Sequence, residues 1–200
     1  MGRSFDAVPP ELADFVVAQP VFFVATAPLG RNDHVNVSPK GGDTLRVLDE
    51  ATVAYLDLTG SGVETIAHLR DNGRITLMWC AFEGPPQIVR VYGRGDAVLA
   101  AEPRFSALAD RFPSLAGVRS VIVVHVERVS TSCGFGVPVM RLQQPRHELQ
   151  RWAERKGPAG VAGYQAKRNA VSIDGLPGLV PPAQAPAATA RSKAARAPSS

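Results

Sequence analysis

Residues 34–65 read HVNVSPKGGDTLRVLDEATVAYLDLTGSGVET. A small polar turn carries one lysine (Asn36, Ser38, Lys40), a strand opens on an arginine (Arg46, Val47, Leu48), and a Gly/Ser loop runs into a helix. A guanidinium fork donates two parallel hydrogen bonds to a phosphate. The free N–H groups at a helix start also favour an anion. Ser61 and Thr65 add hydroxyls to that loop, although such residues ordinarily just cap a helix. Taken singly, Lys40 and Arg46 would be surface charges. Their occurrence with the Gly/Ser loop in one compact segment is what points to an anion site.

Working outward, Pro9 and Pro10 precede a short amphipathic helix over 9–18, with Leu12, Phe15 and Val16 on one face. The apolar run 21–27 and the alternating run 34–38 form a hairpin around Gly30 and Asn32. Strands are expected over 44–48 and 52–58, then a helix over 63–70 closed by Asn72-Gly73. The strand 74–82 is apolar on both faces from Leu77 onward, as in a closed or dimer-packed sheet. A strand over 87–99 contains Gly93 and Gly95, which mark a bulge or a close backbone approach. A helix over 102–112, a strong strand over 120–129 and a helix over 145–156 stopped by Gly157-Pro158 complete the pattern. The loop SCGFGVP (132–138) has Phe135 at its centre, and 164–179 shows no clear period. Six or seven strands with short helices, not in strict alternation, predict an α+β chain built on an antiparallel barrel or sheet.

The 200-residue chain has 45% hydrophobic residues, enough for one domain with a sizeable core. Of 22 basic side chains, Arg191, Lys193 and Arg196 lie in an acid-free Ala/Pro tail, expected to be disordered, while all 18 acidic ones precede it. The body is therefore nearly neutral, which argues against a nucleic-acid groove. Cys80 and Cys133 form neither a disulfide framework nor a CxxC pair, which suits the cytoplasm. No apolar run reaches the roughly 18 residues of a membrane span, and no signal segment opens the chain. His34, His68, His125 and His147 lack metal-ligand spacing. The loop at 60–65 also fails as a dinucleotide fingerprint, because Thr65 stands where that motif needs glycine.

The succession of the RVL strand (46–48), the next strand, the Gly/Ser loop, a short helix, NGRITLMW (72–79) and IVRVYG (88–93) resembles the pyridoxamine 5'-phosphate oxidase-like, FMN-binding split-barrel superfamily. The likeness covers about residues 9–131. SCGFGVP, the R-x-x-L-x-x-W helix and NAVSIDGLP (169–177) resemble a bacterial subgroup of it. The resemblance implies an antiparallel split β-barrel that forms a homodimer, with FMN in grooves between subunits. The FMN-binding domain would span 1–180, with barrel core 9–131 and a C-terminal extension 132–180, followed by the tail 181–200. Arg46 matches the family's phosphate-binding arginine. Val47 and Leu48 match the strand beside the isoalloxazine, and Thr59 and Ser61 the polar residues near ribityl and phosphate. Thr65 stands where a basic phosphate ligand is common, and Arg90 and Gly93 match the strand across the ring.

The chain departs from the family pattern in two places. Asp49 and Glu50 follow Leu48, and Glu64-Thr65 replace a basic pair, so Lys40 is expected to supply the missing charge. The ordered part ends in Ile173-Asp174-Gly175-Leu176-Pro177 rather than an arginine-leucine-proline segment, so pyridoxamine phosphate is not the expected substrate. FMN would carry the chemistry, with NAD(P)H as reductant and a small-molecule substrate. No catalytic acid-base pair stands out, although Phe135 and Trp152 are candidates to shape a substrate pocket. Alternative readings are an F420-dependent reductase and a non-catalytic flavin- or haem-binding protein.

Overall fold

The computed structural model describes residues 2–179; the tail expected over 181–200 lies outside the described residues. The elements are β1 (Ser4–Phe5), α1 (Pro10–Ala18), β2 (Val21–Thr26), β3 (Asn36–Gly41), β4 (Leu45–Asp49), β5 (Thr52–Leu58), α2 (Glu64–Asn72), β6 (Arg74–Cys80), β7 (Ile88–Leu99), α3 (Phe105–Ala109), β8 (Val118–Ser132) and α4 (Glu148–Arg168). The strands form one antiparallel sheet in the order β3-β2-β6-β7-β8-β5-β4, with β1 added to β8. This is a mainly antiparallel half-barrel with four helices, as the pattern of short strands implied. No helix among the described residues is long and apolar enough to cross a membrane.

Two apolar clusters explain the strands that are hydrophobic on both faces. Val53, Tyr55, Ile122 and Val124 point into the main core with α1 and α2. Their neighbours Ala54, Leu56, Val121 and Val123 point the other way, beneath Phe105, Leu108 and Phe112. Within the main core Phe22 stacks on Trp79 at 5.8 Å and meets Tyr55 edge-on at 5.5 Å, geometries that aromatic quadrupoles favour. Gly73 ends α2 in the left-handed region (φ 72°), donating its N–H to the Leu69 carbonyl at 2.9 Å.

The structure moves several expected boundaries. β3 runs on through Pro39 and Lys40, where a turn was expected. As an edge strand paired only to β2, it tolerates a proline that lacks a donor. α3 is shorter than the expected 102–112, because Glu102 is taken up in a turn and its carboxylate accepts the Leu99 N–H at 2.9 Å. Gly157 breaks α4 as expected (φ 65°, ψ 169°), but a helix resumes at Pro158 and continues to Arg168. Proline suits a first helical turn, where its missing N–H costs nothing. The two-residue strand β1 gave no sequence signal.

Gly93 sits at the register shift between β7 and β8. A Cβ there would overlap the His125 carbonyl, whereas one at Gly60 would meet nothing within 4 Å. Gly93→Ala should therefore destabilise the fold by about 1–3 kcal/mol, and Gly60→Ala far less, as read from urea unfolding of the two variants.

Candidate functional site

Three alternating residues of β3 (Asn36, Ser38 and Lys40) face inward, paired in register with Thr26, Val24 and Phe22. They meet a polar set at one end of the core. Asp57 of β5 is fully buried, and its carboxylate accepts hydrogen bonds from Lys40 Nζ at 3.1 Å, Arg119 Nε at 2.6 Å and Ser120 Oγ at 3.4 Å. Burial pushes this carboxyl up, but the Lys40 and Arg119 cations outweigh it and hold Asp57 below its ordinary value. Burial, reinforced by the Asp57 charge, keeps the Tyr55 phenol protonated well above the usual range. Nearby, Asn36 Nδ2 donates at 3.2 Å to the hydroxyls of both Thr26 and Thr65, and Thr26 Oγ1 lies 3.0 Å from Nδ1 of the buried His68.

The same arginine reaches the Gly/Ser loop, donating from Nη1 to the Gly62 carbonyl at 2.7 Å. The C-terminal part of the chain covers that loop. Thr59 Oγ1 donates to the Gly117 carbonyl at 2.7 Å and accepts from Gln165 Nε2 at 2.8 Å. Asn169 Nδ2 donates to the Gly60 carbonyl at 3.0 Å. The Glu64 carboxylate folds back against Gly62 at the start of α2 and accepts the Ile173 N–H at 3.3 Å. Asp174 accepts both the backbone N–H and Nδ1 of His34 at 2.8 Å. Arg119, Gln165 and Asn169 escaped the sequence reading. The one available signal was the four-residue spacing of Gln165 and Asn169, which sets both amides on one helix face.

The eight expected cofactor contacts fall into separate groups. Lys40 is committed to Asp57, Thr59 to Gly117 and Gln165, and Thr65 to the interior network. Val47 packs on the main core and Leu48 on the second cluster. Arg46 lies over the Phe112 ring at 5.2 Å, bonds the Arg111 carbonyl at 3.0 Å and pairs with Asp43. Segment 111–117 thus touches Arg46 at one end and Thr59 at the other. Ser61 is exposed beside it. Arg90 stands apart on β7, two strands from β5, with Nη1 on Ser132 Oγ at 3.2 Å.

An anionic cofactor end fits part of this set. The Asp43 partner of Arg46 is 66% exposed, and exposed pairs are worth about 0–1 kcal/mol, so a phosphate can displace it. Ser61 offers a second accessible donor. The helix start is less open, because Glu64 and Ile173 already lie over it.

A family model described as pyridoxamine 5'-phosphate oxidase matches residues 8–133. The pyridoxamine 5'-phosphate oxidase family protein ustO of Aspergillus flavus is 41% identical in an alignment of 192 positions that covers 88% of this chain and 77% of that protein. The chain belongs to the pyridoxamine 5'-phosphate oxidase family. Among solved structures, a HupZ variant from Group A Streptococcus superposes with a TM-score of 0.50 at 22% identity, covering 62% of this chain and 99% of that one. That likeness supports the fold assigned to this family member. The family match ends at Cys133, so the covering segment 165–179 belongs to what this chain adds beyond it.

Asp57→Asn would leave Lys40 and Arg119 without their counter-charge, and should cost about 3–5 kcal/mol. Because the folded-state value is depressed, the stabilisation is fully present above about pH 4, near the unfolded carboxyl value. It is lost as the pH falls through the folded value. Urea unfolding at pH 7 and pH 3 should show this acid loss in the wild type and a flatter profile in the variant.

Proposed function

We propose that the chain is an FMN-dependent oxidoreductase of the pyridoxamine 5'-phosphate oxidase family, with a small-molecule substrate other than pyridoxamine phosphate. The observation that carries this reading is Arg46, a strand arginine in a member of this family whose acidic partner is solvent-exposed and exchangeable for phosphate. Val47 and Leu48 continue the same strand as the wall beside the ring. Bound FMN supplies hydride transfer, and the chain supplies binding, orientation and charge. Arg46 and Ser61 hold the phosphate, while Thr59, pinned between Gly117 and Gln165, fixes the loop. No side chain is required as acid or base. The segment at 173–177 is engaged by Glu64 and His34 rather than presented to a substrate phosphate, which supports a substrate other than pyridoxamine phosphate.

The outer face of the sheet supports a homodimer. Val37, Ala25, Thr76 and Tyr92 form one cross-strand row, and Pro39, Phe23, Met78 and Arg90 the next. Val37 is 64% exposed and Val35 69%. An apolar face of this kind marks a protein interface. Residues 1–180 act as one cofactor-binding domain, and the two free cysteines suit the cytoplasm.

The purified protein should be yellow with an oxidised-flavin spectrum, bleach with NADPH or NADH and recover in air. Arg46→Ala should weaken FMN binding at least about tenfold, the scale of one lost charge-assisted pair. A colourless protein that takes up no FMN contradicts the assignment, and a Soret band would replace it with a haem reading.

A further inference from the structure

Residues 133–147 leave the end of β8 through a turn at 134–137 and continue as an arm without helix or strand. Its large apolar side chains are turned outward: Phe135 is 81% exposed, Val139 86%, Met140 56% and Leu142 60%. Yet its backbone is held. Met140 donates its N–H to the Phe82 carbonyl at 2.9 Å, and Val137 to the Gly134 carbonyl at 2.9 Å. An anchored segment that exposes a run of large apolar side chains is built to be covered by another surface.

That surface exists on the same chain. A groove of about 570 Å³ runs between the N-terminal segment and β4, the strand that ends the sheet. Phe5, Val8, Pro9 and Val47 line it, and Asp6 and Glu50 stand among its acidic residues, with no basic residue in the lining. The arm has the opposite character: it carries Arg141 and Arg146 and no acid from 133 to 147, and the 3.6 Å pair of Arg141 with Glu83 is exposed on both sides and so exchangeable. β1, which lines the groove, pairs with β8, which launches the arm. Groove and arm therefore flank the same end of β8, the groove on its β1 edge and the arm on its β7 edge, and a twofold relation lets two copies exchange arms reciprocally.

We propose that the 135–147 arm of each copy lies in the β4 groove of a second copy, its apolar side chains on the groove floor and Arg141 and Arg146 against the acidic rim. This rests on the homodimer proposed above and names what completes it. It also brings Phe135 of one copy to the β4 side of the other, the strand that carries Arg46.

The test is sedimentation velocity on the full chain, with circular dichroism to verify folding. Arg141→Glu with Arg146→Glu should raise the dimer dissociation constant at least tenfold, as should Asp6→Lys with Glu50→Lys. An equimolar mixture of the two double variants should recover most of the association, because each hybrid then carries a complementary arm and groove. A wild-type dimer that both folded double variants leave unchanged, or a mixture that recovers nothing, overturns the arm exchange while the dimer stands. A wild type that stays monomeric overturns the dimer and the exchange together.

Discussion

The Asp57 carboxylate has no contact with solvent, and its burial is tolerable only because two cations face it. A buried ion pair contributes little net stability against an apolar substitute, but losing one partner is severe. Its value here is positional. Lys40 comes from β3, one end of the sheet, Asp57 from β5 near the other end, and Arg119 from β8. One carboxylate thereby fastens the two ends of the half-barrel, and through the Arg119 bond to Gly62 it also fixes the loop that opens α2. The loop's position relative to β4 follows from that lock.

The site is consequently layered. Inside lies a polar network that shapes the wall, with Thr26, Thr65 and His68 buried and Asn36 half-buried. Above it the loop is clasped by Gln165 and Asn169, so the C-terminal extension acts as an integral part of the site's rim. Outside lie the groups that remain free to exchange partners, Arg46 with its exposed Asp43 and the exposed Ser61. In the proposed reading binding falls to this outer layer, and the two inner layers hold it in shape.

Much of the fold was legible because its signals are local. Apolar strands such as Arg74–Cys80, the glycine that ends α2 and the glycine at the β7 bulge each declare themselves within a few residues. The site was legible only in part, for a physical reason. Asp57 lies 17 residues from Lys40 and 62 from Arg119, and no local pattern announces a pairing made by barrel curvature. Lys40 accordingly read as a free cation near a phosphate, whereas the structure ties it to a buried carboxylate. The 164–179 segment lacked a period because it comprises a helix end and a turn stitched by single bonds to the Gly/Ser loop through Asn169, to Glu64 of α2 through Ile173 and to His34 through Asp174.

In the proposed function this family member holds a flavin by its phosphate at Arg46. Calorimetric titration of the purified apoprotein with FMN and with riboflavin, which lacks the phosphate, tests it most directly. FMN should bind at least about tenfold tighter, as one charge-assisted pair requires, and Arg46→Ala should erase the difference. Equal affinity for the two flavins, or binding of neither, would contradict a phosphate site at Arg46.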